Sequence, residues 1–498
     1  NKDALVLAKK NKFIYNFWES ADKINQNVFV YFNPIISTDS LNQVSNLVYT
    51  YKTQSGNYIE QVYSLSKNSY NLDFTIRLKS NDGNFLNKEV NFDWYMNCDQ
   101  VEPGRSYELQ QTNFSFVEGD EFDYFSSTKN YTPEQPLKWL SMTQQFFSST
   151  LIFNNSNNLK FKKITFDKST NDTSVELAML NAQFSAQISY NKNTEFSFSY
   201  LFAPNDLTIL TNQGPQISKI INFGRGMYAF VRPINIYVLK PVFDFLANHI
   251  ASLGICIILL TIFIKIITAP LTYSGYVSSA KMKALKPELD VIKAKSAGDQ
   301  QAFAMEQMKL FREAGVNPLS GCVPALLIIP IFASLFNFFN ANIILRGKSF
   351  LWANDLSSYD NVYNFGFNIP FYGDHFSLFT FLTALTTFLS TFYNMSATPT
   401  TNDNPAFKYM PYIFPVFMLL FFNSTPAALT MYYTVANIFT MVIQLVIQKF
   451  IIDHDKIRHK LNEKRKQPKK KSMWQDRYDK MMETQKNVQK LKNQTKKN

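Results

Sequence analysis

The apolar residues of the chain follow two patterns, and the change falls near residue 235. Before it, short runs alternate apolar with polar residues and are separated by Asn, Asp and Gly. Examples are residues 46–53, 70–80, 90–97 and 196–202. Because alternation with a period of two is typical of strands that bury one face, residues 1–230 are predicted to form a mainly antiparallel β-sandwich. One stretch, KWLSMTQQFFSSTLIF at 138–153, fits a helix as well as a strand.

Beyond this change the apolar runs become long enough to cross a bilayer, which takes about 20 residues of helix. Five spans are predicted, at 250–272, 321–345, 376–394, 407–424 and 427–450. The preceding segment, 231–249, places Leu239, Phe243 and Leu246 on one helical face. It is predicted to be an amphipathic helix in the membrane interface, with a short core helix of the β-domain as the alternative.

Basic residues set the predicted orientation, since the cytoplasmic loops of membrane proteins are rich in Lys and Arg. Segment 273–320 has seven Lys and Arg against five acidic residues, and segment 453–498 has sixteen against six. Segment 346–375 has two against three. The first two are therefore predicted to be cytoplasmic, whereas the third and residues 1–249 are external. Because an external domain must be exported and the chain starts at Asn1, a preceding export signal or first membrane helix is expected.

The two cytoplasmic segments differ in their predicted structure. Segment 273–320 is predicted to be a charged helical hairpin, with Gly315 as the C-terminal cap of its second helix. Its apolar residues are Met282, Leu285, Leu289, Met305 and Met308. They either pack helix against helix or form an adaptable surface for apolar partners. The tail, 453–498, has a net charge of +10. It is expected to contact anionic lipid or RNA, or to act as a plain cytoplasmic anchor.

Polar residues recur on one face of four spans, and one of them is a cation. In the first span Thr261, Lys265 and Thr268 are spaced by four and three residues. The other stripes are Ser334, Asn337 and Asn340; Thr380, Thr383, Thr387, Thr391 and Asn394; and Thr430, Tyr433, Thr434, Asn437, Gln444 and Gln448. Each stripe alone is explained by threonines that bond their own helix and amides that join helices. Together with a cation, they predict a hydrophilic cavity that Lys265 faces, with snorkelling of Lys265 as the alternative.

Nothing in the sequence indicates catalysis. The three cysteines and four histidines are scattered, without a disulfide framework or a metal-ligand spacing, and no phosphate-binding G-x-x-x-x-G-K-[ST] loop occurs. Residues 1–250 have 22 Lys and Arg against 23 acidic residues, so they do not predict a nucleic-acid surface. We therefore expect no enzyme activity, no metal, no cofactor and no DNA partner.

Four stretches of the second half form a family pattern at consistent spacing within residues 233–452. They are KIITAPLTYSGYVSSAKMKALKPEL, AGVNPLSGCVPALLIIPIF, FLWANDLSS and ALTMYYTVANIFTMVIQ. In these stretches the chain resembles the YidC/Oxa-type membrane protein insertases, in the form with a large periplasmic domain. The first half resembles that form only in position, β character and the KWLSMTQQFF stretch. The resemblance implies a bacterial inner-membrane protein whose five-helix core, 250–452, encloses a hydrophilic groove open to the cytoplasm and the lipid.

The resemblance also implies which residues contact a substrate. The family usually has an arginine in the groove, and Lys265 stands there in this chain, which keeps the charge but loses the planar fork. Pro330 and Phe332 in the second span and Tyr432 and Tyr433 in the last match positions implied to line the substrate path. The complete set of expected groove residues is Lys265, Thr261, Thr268, Asn337, Thr383, Thr387, Tyr433, Thr434 and Asn437.

The expected function is that of a noncatalytic insertase and chaperone for newly made membrane proteins. The cytoplasmic hairpin receives an apolar segment, the groove takes in its polar flank, and the segment partitions into lipid beside the third and last spans. The Sec translocon and, through the tail, the ribosome are candidate partners. The rival interpretation is a transporter or channel that uses Lys265, although the five spans show no paired repeat. A membrane-anchored adhesion protein would explain one span only.

Overall fold

The computed structural model describes most of the chain, in two compact units. The described residues are 11–20, 23–39, 44–54, 56–80, 88–155, 158–171, 174–188, 193–296, 299–316, 323–397, 405–451, 457, 459, 461 and 463. The first unit comprises residues 1–266, 328–390 and 409–439, and the second comprises 267–327, 391–408 and 440–498.

The N-terminal part of the first unit consists almost entirely of strands. They are β1 (Lys12–Ser20), β2 (Lys23–Gln26), β3 (Asn33–Asp39), β4 (Val44–Lys52), β5 (Tyr58–Ser66), β6 (Asn71–Lys79), β7 (Glu89–Asp99), β8 (Asn113–Glu118), β9 (Glu121–Phe125), β10 (Lys129–Tyr131), β11 (Leu137–Thr143), β12 (Phe147–Phe153), β13 (Leu159–Lys168), β14 (Glu176–Gln187) and β15 (Asn193–Pro204). Two short helices accompany them, α1 (Arg105–Gln111) and α2 (Leu207–Thr211).

The strands form two antiparallel sheets that pack face to face. One has the order β10-β13-β14-β7-β1-β2 and the other β3-β4-β5-β6-β15-β12-β11-β8-β9. Alternate residues of β7, from Val90 to Cys98, are buried. Their rings meet the other sheet, with the centroids of Phe92 and Phe198 5.7 Å apart. The predicted mainly-β sandwich is confirmed, and period-two alternation produces it because each sheet has one inner face.

The undecided stretch 138–153 is the hairpin of β11 and β12. Leu140 and Met142 point into the core between the sheets, whereas Trp139 packs on the opposite face in a second apolar cluster. The indole N–H of Trp139 donates to the carbonyl of Pro215 at 2.8 Å. Because both faces of this hairpin are buried, its sequence has no period-two alternation and resembles a buried helix.

A helix connects the sandwich to the apolar helices. It consists of α3 (Arg232–Ile234), a π-helical turn at Asn235–Leu239 and α4 (Lys240–His249). Phe243 is buried, with its ring 5.6 Å from that of Phe338. Tyr237 and Phe245 are exposed on the other side. The helix therefore presents apolar side chains both to the bundle and outward, which agrees with a place in the membrane interface; that place stays a prediction.

The remaining helices agree broadly with the predicted spans. They are α5 (Leu253–Ala284), α6 (Lys286–Lys295), α7 (Gln300–Glu313), α8 (Val323–Ala341), α9 (Leu378–Ala397), α10 (Pro405–Phe422) and α11 (Ala427–Val446), followed by a π-helical turn at Ile447–Ile451. Among the described residues, Leu253–Pro270 and Ala427–Val446 are long and apolar enough to cross a membrane. Shorter apolar helical stretches are Ile329–Ala341, Leu378–Tyr393 and Tyr412–Phe422. A small hairpin, β16 (Tyr363–Ile369) and β17 (Gly373–Phe376), precedes α9.

The segment predicted as a cytoplasmic hairpin begins later than its sequence suggested. Helix α5 continues to Ala284, twelve residues past the predicted end of the membrane span at 272, because no strong helix breaker follows Pro270 until Pro287. Helices α6 and α7 then form the hairpin, and Asp299 caps α7 by accepting from two backbone N–H groups. The predicted cap at Gly315 is confirmed by its φ of +65°, which glycine adopts readily.

Candidate functional site

Four of the predicted groove residues form a polar seam between α9 and α11. The seam consists of Thr383 and Thr387 on α9 and Thr434 and Asn437 on α11. The hydroxyls of Thr383 and Thr434 are 2.9 Å apart, and the Asn437 amide donates to the Thr387 hydroxyl at 2.8 Å. Thr383 also donates to the carbonyl of Thr430 at 2.7 Å. The two stripes therefore join the helices to each other, as polar side chains in membrane helices often do.

Two other predicted groove residues bond within their own helices. The Thr261 hydroxyl donates to the carbonyl of Ile257, and the Asn337 amide donates to that of Ala333, both at 2.7 Å. Both side chains are buried. This contact, four residues back along the helix, is the ordinary way in which a buried threonine satisfies its hydroxyl.

Lys265 lies on α5 one turn beyond Thr261 and is half-buried. Its neighbour Ile264 is buried in the apolar core, whereas Ile266 and Ile267 are exposed. The lysine is therefore at the edge between the packed and the exposed faces of α5. Thr268, the next member of the predicted stripe, belongs to the second unit, where its carbonyl accepts from Thr272 at 2.9 Å.

The residues predicted to line a substrate path form an aromatic cluster. The ring of Tyr433 is 5.6 Å from that of Phe332, 5.2 Å from that of Tyr432 and 5.7 Å from that of Phe422. Pro330 lies half-buried on the same helix as Phe332. The hydroxyl of Tyr433 is buried and has no hydrogen-bond partner among the described residues. A buried hydroxyl of this kind is costly unless something supplies a partner.

The four hairpin residues divide into two groups. Leu285 is buried, and Met282 packs beside it in a cluster with Leu310 and Phe311. Met305 and Met308 are 40% and 44% exposed. The first group therefore holds the hairpin together, and the second leaves an apolar surface open to other molecules.

A buried polar cap at the end of the bundle was not predicted. The carboxylate of Asp360 is buried and accepts from the Trp352 indole and the Phe379 backbone N–H, both at 2.9 Å, and from the Ser377 hydroxyl. Next to it, the side-chain amide of Asn423 donates to the carbonyls of Tyr372 and His375 at 2.9 Å. The predicted loop 346–375 contains a Trp and three Asp residues, but hydrophobic patterning does not reveal such contacts.

A second unpredicted contact joins the β-sandwich to the helices. Arg346, just after α8, donates to the Glu102 carboxylate at 2.7 Å, and its guanidinium lies over the ring of Phe147 at 5.1 Å. Burial raises the pKa of Glu102, and Arg346 opposes this shift. The nearby Glu108 is also buried, and burial raises its pKa to about 7. Two backbone N–H groups, of Val101 and Glu102, donate to Glu108 at 2.9 Å and oppose that rise.

The described residues contain no group of three or more His, Cys, Asp or Glu side chains arranged to hold a metal ion. The polar groups of the helices are instead threonine hydroxyls, amides, a tyrosine hydroxyl and Lys265. Such a set can bind and orient a polar or acidic segment, and it contains no arranged nucleophile and base.

Comparison with known proteins covers nearly the whole chain. Residues 19–237 match the family described as YidC periplasmic domain, and residues 245–456 match the family described as 60Kd inner membrane protein. A membrane protein insertase YidC from Amoebophilus asiaticus is 34% identical over 461 residues, which cover 90% of this chain and 75% of the relative. One from Parabacteroides distasonis is 31% identical over 520 residues, covering 100% and 80%.

A solved structure described as an active YidC insertase with its first transmembrane domain resolved is also similar. It is 18% identical and covers 84% of this chain and 80% of its own, with a TM-score of 0.34, too low to transfer residue positions.

These matches define a class, an inner-membrane protein with a periplasmic β-domain followed by a helical insertase region. The chain belongs to the YidC family of membrane protein insertases. The family is not an enzyme family, and the rival interpretation as a transporter or channel is not supported.

Proposed function

We propose that this insertase moves apolar segments of newly made proteins into the bilayer by accommodating their polar flanks beside Lys265. The observation that carries the proposal is the place of this lysine, at the boundary between the packed and exposed faces of an otherwise apolar stretch of α5. A cation there is accessible from the side on which a client helix meets lipid. A client carboxylate about 4 Å away would gain about 4 kcal/mol at an effective dielectric constant near 20.

The aromatic cluster supports a path for the client segment through the groove that we propose. Phe332 and Tyr433 offer flat apolar surfaces, and the hydroxyl of Tyr433, which has no partner among the residues that the structure describes, offers one hydrogen bond. A client segment entering as an incompletely formed helix has backbone groups without partners, each of which is costly in a dry environment. A tyrosine hydroxyl at this place would satisfy one of them during entry.

The exposed methionines of the hairpin support a surface that receives apolar client segments. Met305 and Met308 lie on α7, and their flexible thioethers adapt to varied apolar side chains. A client would contact them first and then partition into lipid beside α9 and α11, gaining about 25 cal/mol per Å² of apolar surface.

Two macromolecular partners belong to this proposal. The basic tail, most of which lies outside the described residues, carries a net charge of +10 over 453–498. This charge favours contact with ribosomal RNA or with anionic lipid. The Sec translocon is a further candidate, since some clients would arrive laterally from a channel.

The proposed role of Lys265 is tested with purified protein in liposomes and a single-spanning client, in versions with an acidic and a neutral translocated tail. We expect Lys265→Ala to reduce insertion of the acidic version about tenfold, equivalent to about 1.4 kcal/mol, and to leave the neutral version unchanged. Lys265→Arg keeps the charge and is expected to retain activity.

Lys348→Ala, which removes an exposed lysine of the loop after α8, is the matched control and should affect neither client. Equal insertion of the acidic client by wild type and Lys265→Ala would refute the electrostatic role.

A further inference from the structure

The loop between α8 and α9 carries a hairpin whose surface is aromatic and, up to Gly373, uncharged. No charged residue occurs from 361 to 373. The strands β16 and β17 pair antiparallel, with Tyr363 opposite Phe376. Tyr363, Phe367 and Phe371 are nevertheless 63%, 64% and 92% exposed. An exposed apolar patch of this kind usually marks a surface that contacts a partner or a membrane.

The tip of the hairpin is built to expose Phe371. Ile369, Pro370, Phe371 and Tyr372 form a tight turn, in which the Tyr372 N–H donates to the Ile369 carbonyl at 3.0 Å. Phe371, the third residue of the turn, has a φ of +66°. In turns whose second residue is proline and whose third residue has a positive φ, the third residue is usually glycine or asparagine, because a bulky side chain is strained there. Strain of this kind persists at functional positions when the surrounding structure fixes it.

The base of the hairpin is fixed to the end of the helix bundle. Asn423, in the turn between α10 and α11, donates to the carbonyls of Tyr372 and His375 at 2.9 Å. A ring nitrogen of His375 is 2.8 Å from the carbonyl oxygen of Asn423. The position of the hairpin is therefore fixed relative to the connected ends of α10 and α11.

The hairpin lies on the periplasmic side and continues the apolar surface of α9. The same loop begins at Arg346, which pairs with Glu102 of the periplasmic β-domain. Only Ser377 separates β17 from α9, and the ring of Phe376 is 5.8 Å from that of Phe381. Further residues exposed along α9 are Leu385, Phe388 and Leu389. An exposed apolar strip thus runs from α9 towards the hairpin, and Asp374 is the one charged residue between 361 and 376.

We propose that residues 363–376 form an aromatic anchor, which places the rings of Phe367 and Phe371 in the boundary between headgroups and acyl chains of the periplasmic leaflet. The bilayer is the partner that fits, because residues 361–373 combine aromatic rings with a few amides and carry no charge, which is typical of the membrane interface; Asp374, the one charged residue of the hairpin, lies at its base. Through Asn423 and His375, the anchor holds the turn between α10 and α11 at a fixed depth.

The proposal is tested with the full chain in phosphatidylethanolamine and phosphatidylglycerol liposomes. The three cysteines are replaced by alanine, and one cysteine is introduced by Phe371→Cys and labelled with an environment-sensitive fluorophore. A second variant, Phe367→Cys, leaves Phe371 in place. We expect blue-shifted emission from both labels, and loss of most of that emission when the lipids carry a spin label near the headgroup. A label introduced by Tyr31→Cys, at a position 97% exposed in the β-domain, is expected to stay water-like.

Three results would overturn the proposal. The first is water-like emission at 367 and 371 that spin-labelled lipid does not quench. The second is equal quenching at position 31, which would remove the specificity for the hairpin. The third is emission that shifts only when a client is added or when the density of the protein is raised, which would assign the surface to a client or to a second copy.

Discussion

The stability of the β-domain is expected to fall as the pH rises from about 4.5 to about 7, because Glu108 is buried. Its side chain is buried beside Glu102 and takes hydrogen bonds from Val101, Glu102 and Gln144. Burial nevertheless raises its pKa from 4.5 to about 7. The folded chain therefore holds a proton that the unfolded chain has already lost in this pH window. Stabilisation by this group is fully present below pH 4.5 and is lost as the pH passes through about 7.

The size of the effect follows from the shift. The rise in the pKa of Glu108 from 4.5 to about 7, at about 1.4 kcal/mol per pKa unit, corresponds to at most roughly 3–4 kcal/mol of unfolding free energy. Glu102 adds to the same trend, because its pKa is also raised, although Arg346 partly cancels the shift. Glu108→Gln removes the titration. In the wild type the Gln144 amide donates to the Glu108 carboxyl group at 3.0 Å. In the variant it would face the NH₂ group of the new glutamine, so two donors would meet, and the variant should be less stable by about 1 kcal/mol at low pH.

The assay is urea unfolding of the whole protein in detergent, followed by the fluorescence of the buried Trp94 and Trp139, between pH 4.5 and 8. The wild-type midpoint should decline through this range and level off above about pH 7. For Glu108→Gln the urea midpoint should decline less with pH, because only the contribution of Glu102 remains. A wild-type midpoint that is constant or rises with pH, or an unchanged slope in Glu108→Gln, would refute the reasoning.

Two further predictions concern the cap and the hairpin. Asp360→Ala leaves the Trp352 indole and the Ser377 hydroxyl without their acceptor, so we expect faster proteolysis of the loop after α8 and a loss of about 2–4 kcal/mol in the free energy of unfolding. Asp374→Ala, at an exposed position, is the control. Equal protease resistance of the two variants would contradict the role of the cap. Replacing Met305 and Met308 with serine should weaken photocrosslinking of a client to the hairpin without changing its helix content, whereas Leu285→Ser should lower the helix content itself. Unchanged crosslinking by the double variant would exclude the methionines from the receiving surface.

The parts of the fold that the sequence predicts are those in which one chemical signal dominates. Strands with a single buried face, such as β7, show the alternation of their core residues directly. The β11–β12 hairpin does not, because Trp139 packs on the face opposite to Leu140. The drop in hydropathy after 272 predicts the end of a membrane span, but it does not show that the helix itself continues to Ala284, where the break before Pro287 ends it.

The cap and the junction with the β-domain were beyond prediction for a different reason. Arg346 and Glu102 are far apart in the sequence, as are Asn423 and His375, and single residues in loops have no periodicity. The aromatic cluster that we propose as part of the substrate path was predicted only through the family resemblance. The contacts of Phe332 with Tyr433 lie between α8 and α11, and no local pattern specifies which helices become neighbours.

The polar stripes show how the structure changes the mechanism that the sequence suggested. Four stripes in the helices imply a cavity lined throughout by hydroxyls and amides. Yet the hydroxyls of Thr383 and Thr434 bond each other across the seam, and the Asn437 amide donates to the Thr387 hydroxyl. The Thr261 hydroxyl donates to the carbonyl of Ile257 within its own helix. Groups that already share a hydrogen bond offer little to a passing client, because binding the client would replace that bond with another of similar strength. In the proposed mechanism the attraction of a polar flank therefore rests on fewer groups, chiefly the charge of Lys265 and the hydroxyl of Tyr433, which no described residue bonds. The seam keeps α9 and α11 together as the wall along which the client leaves.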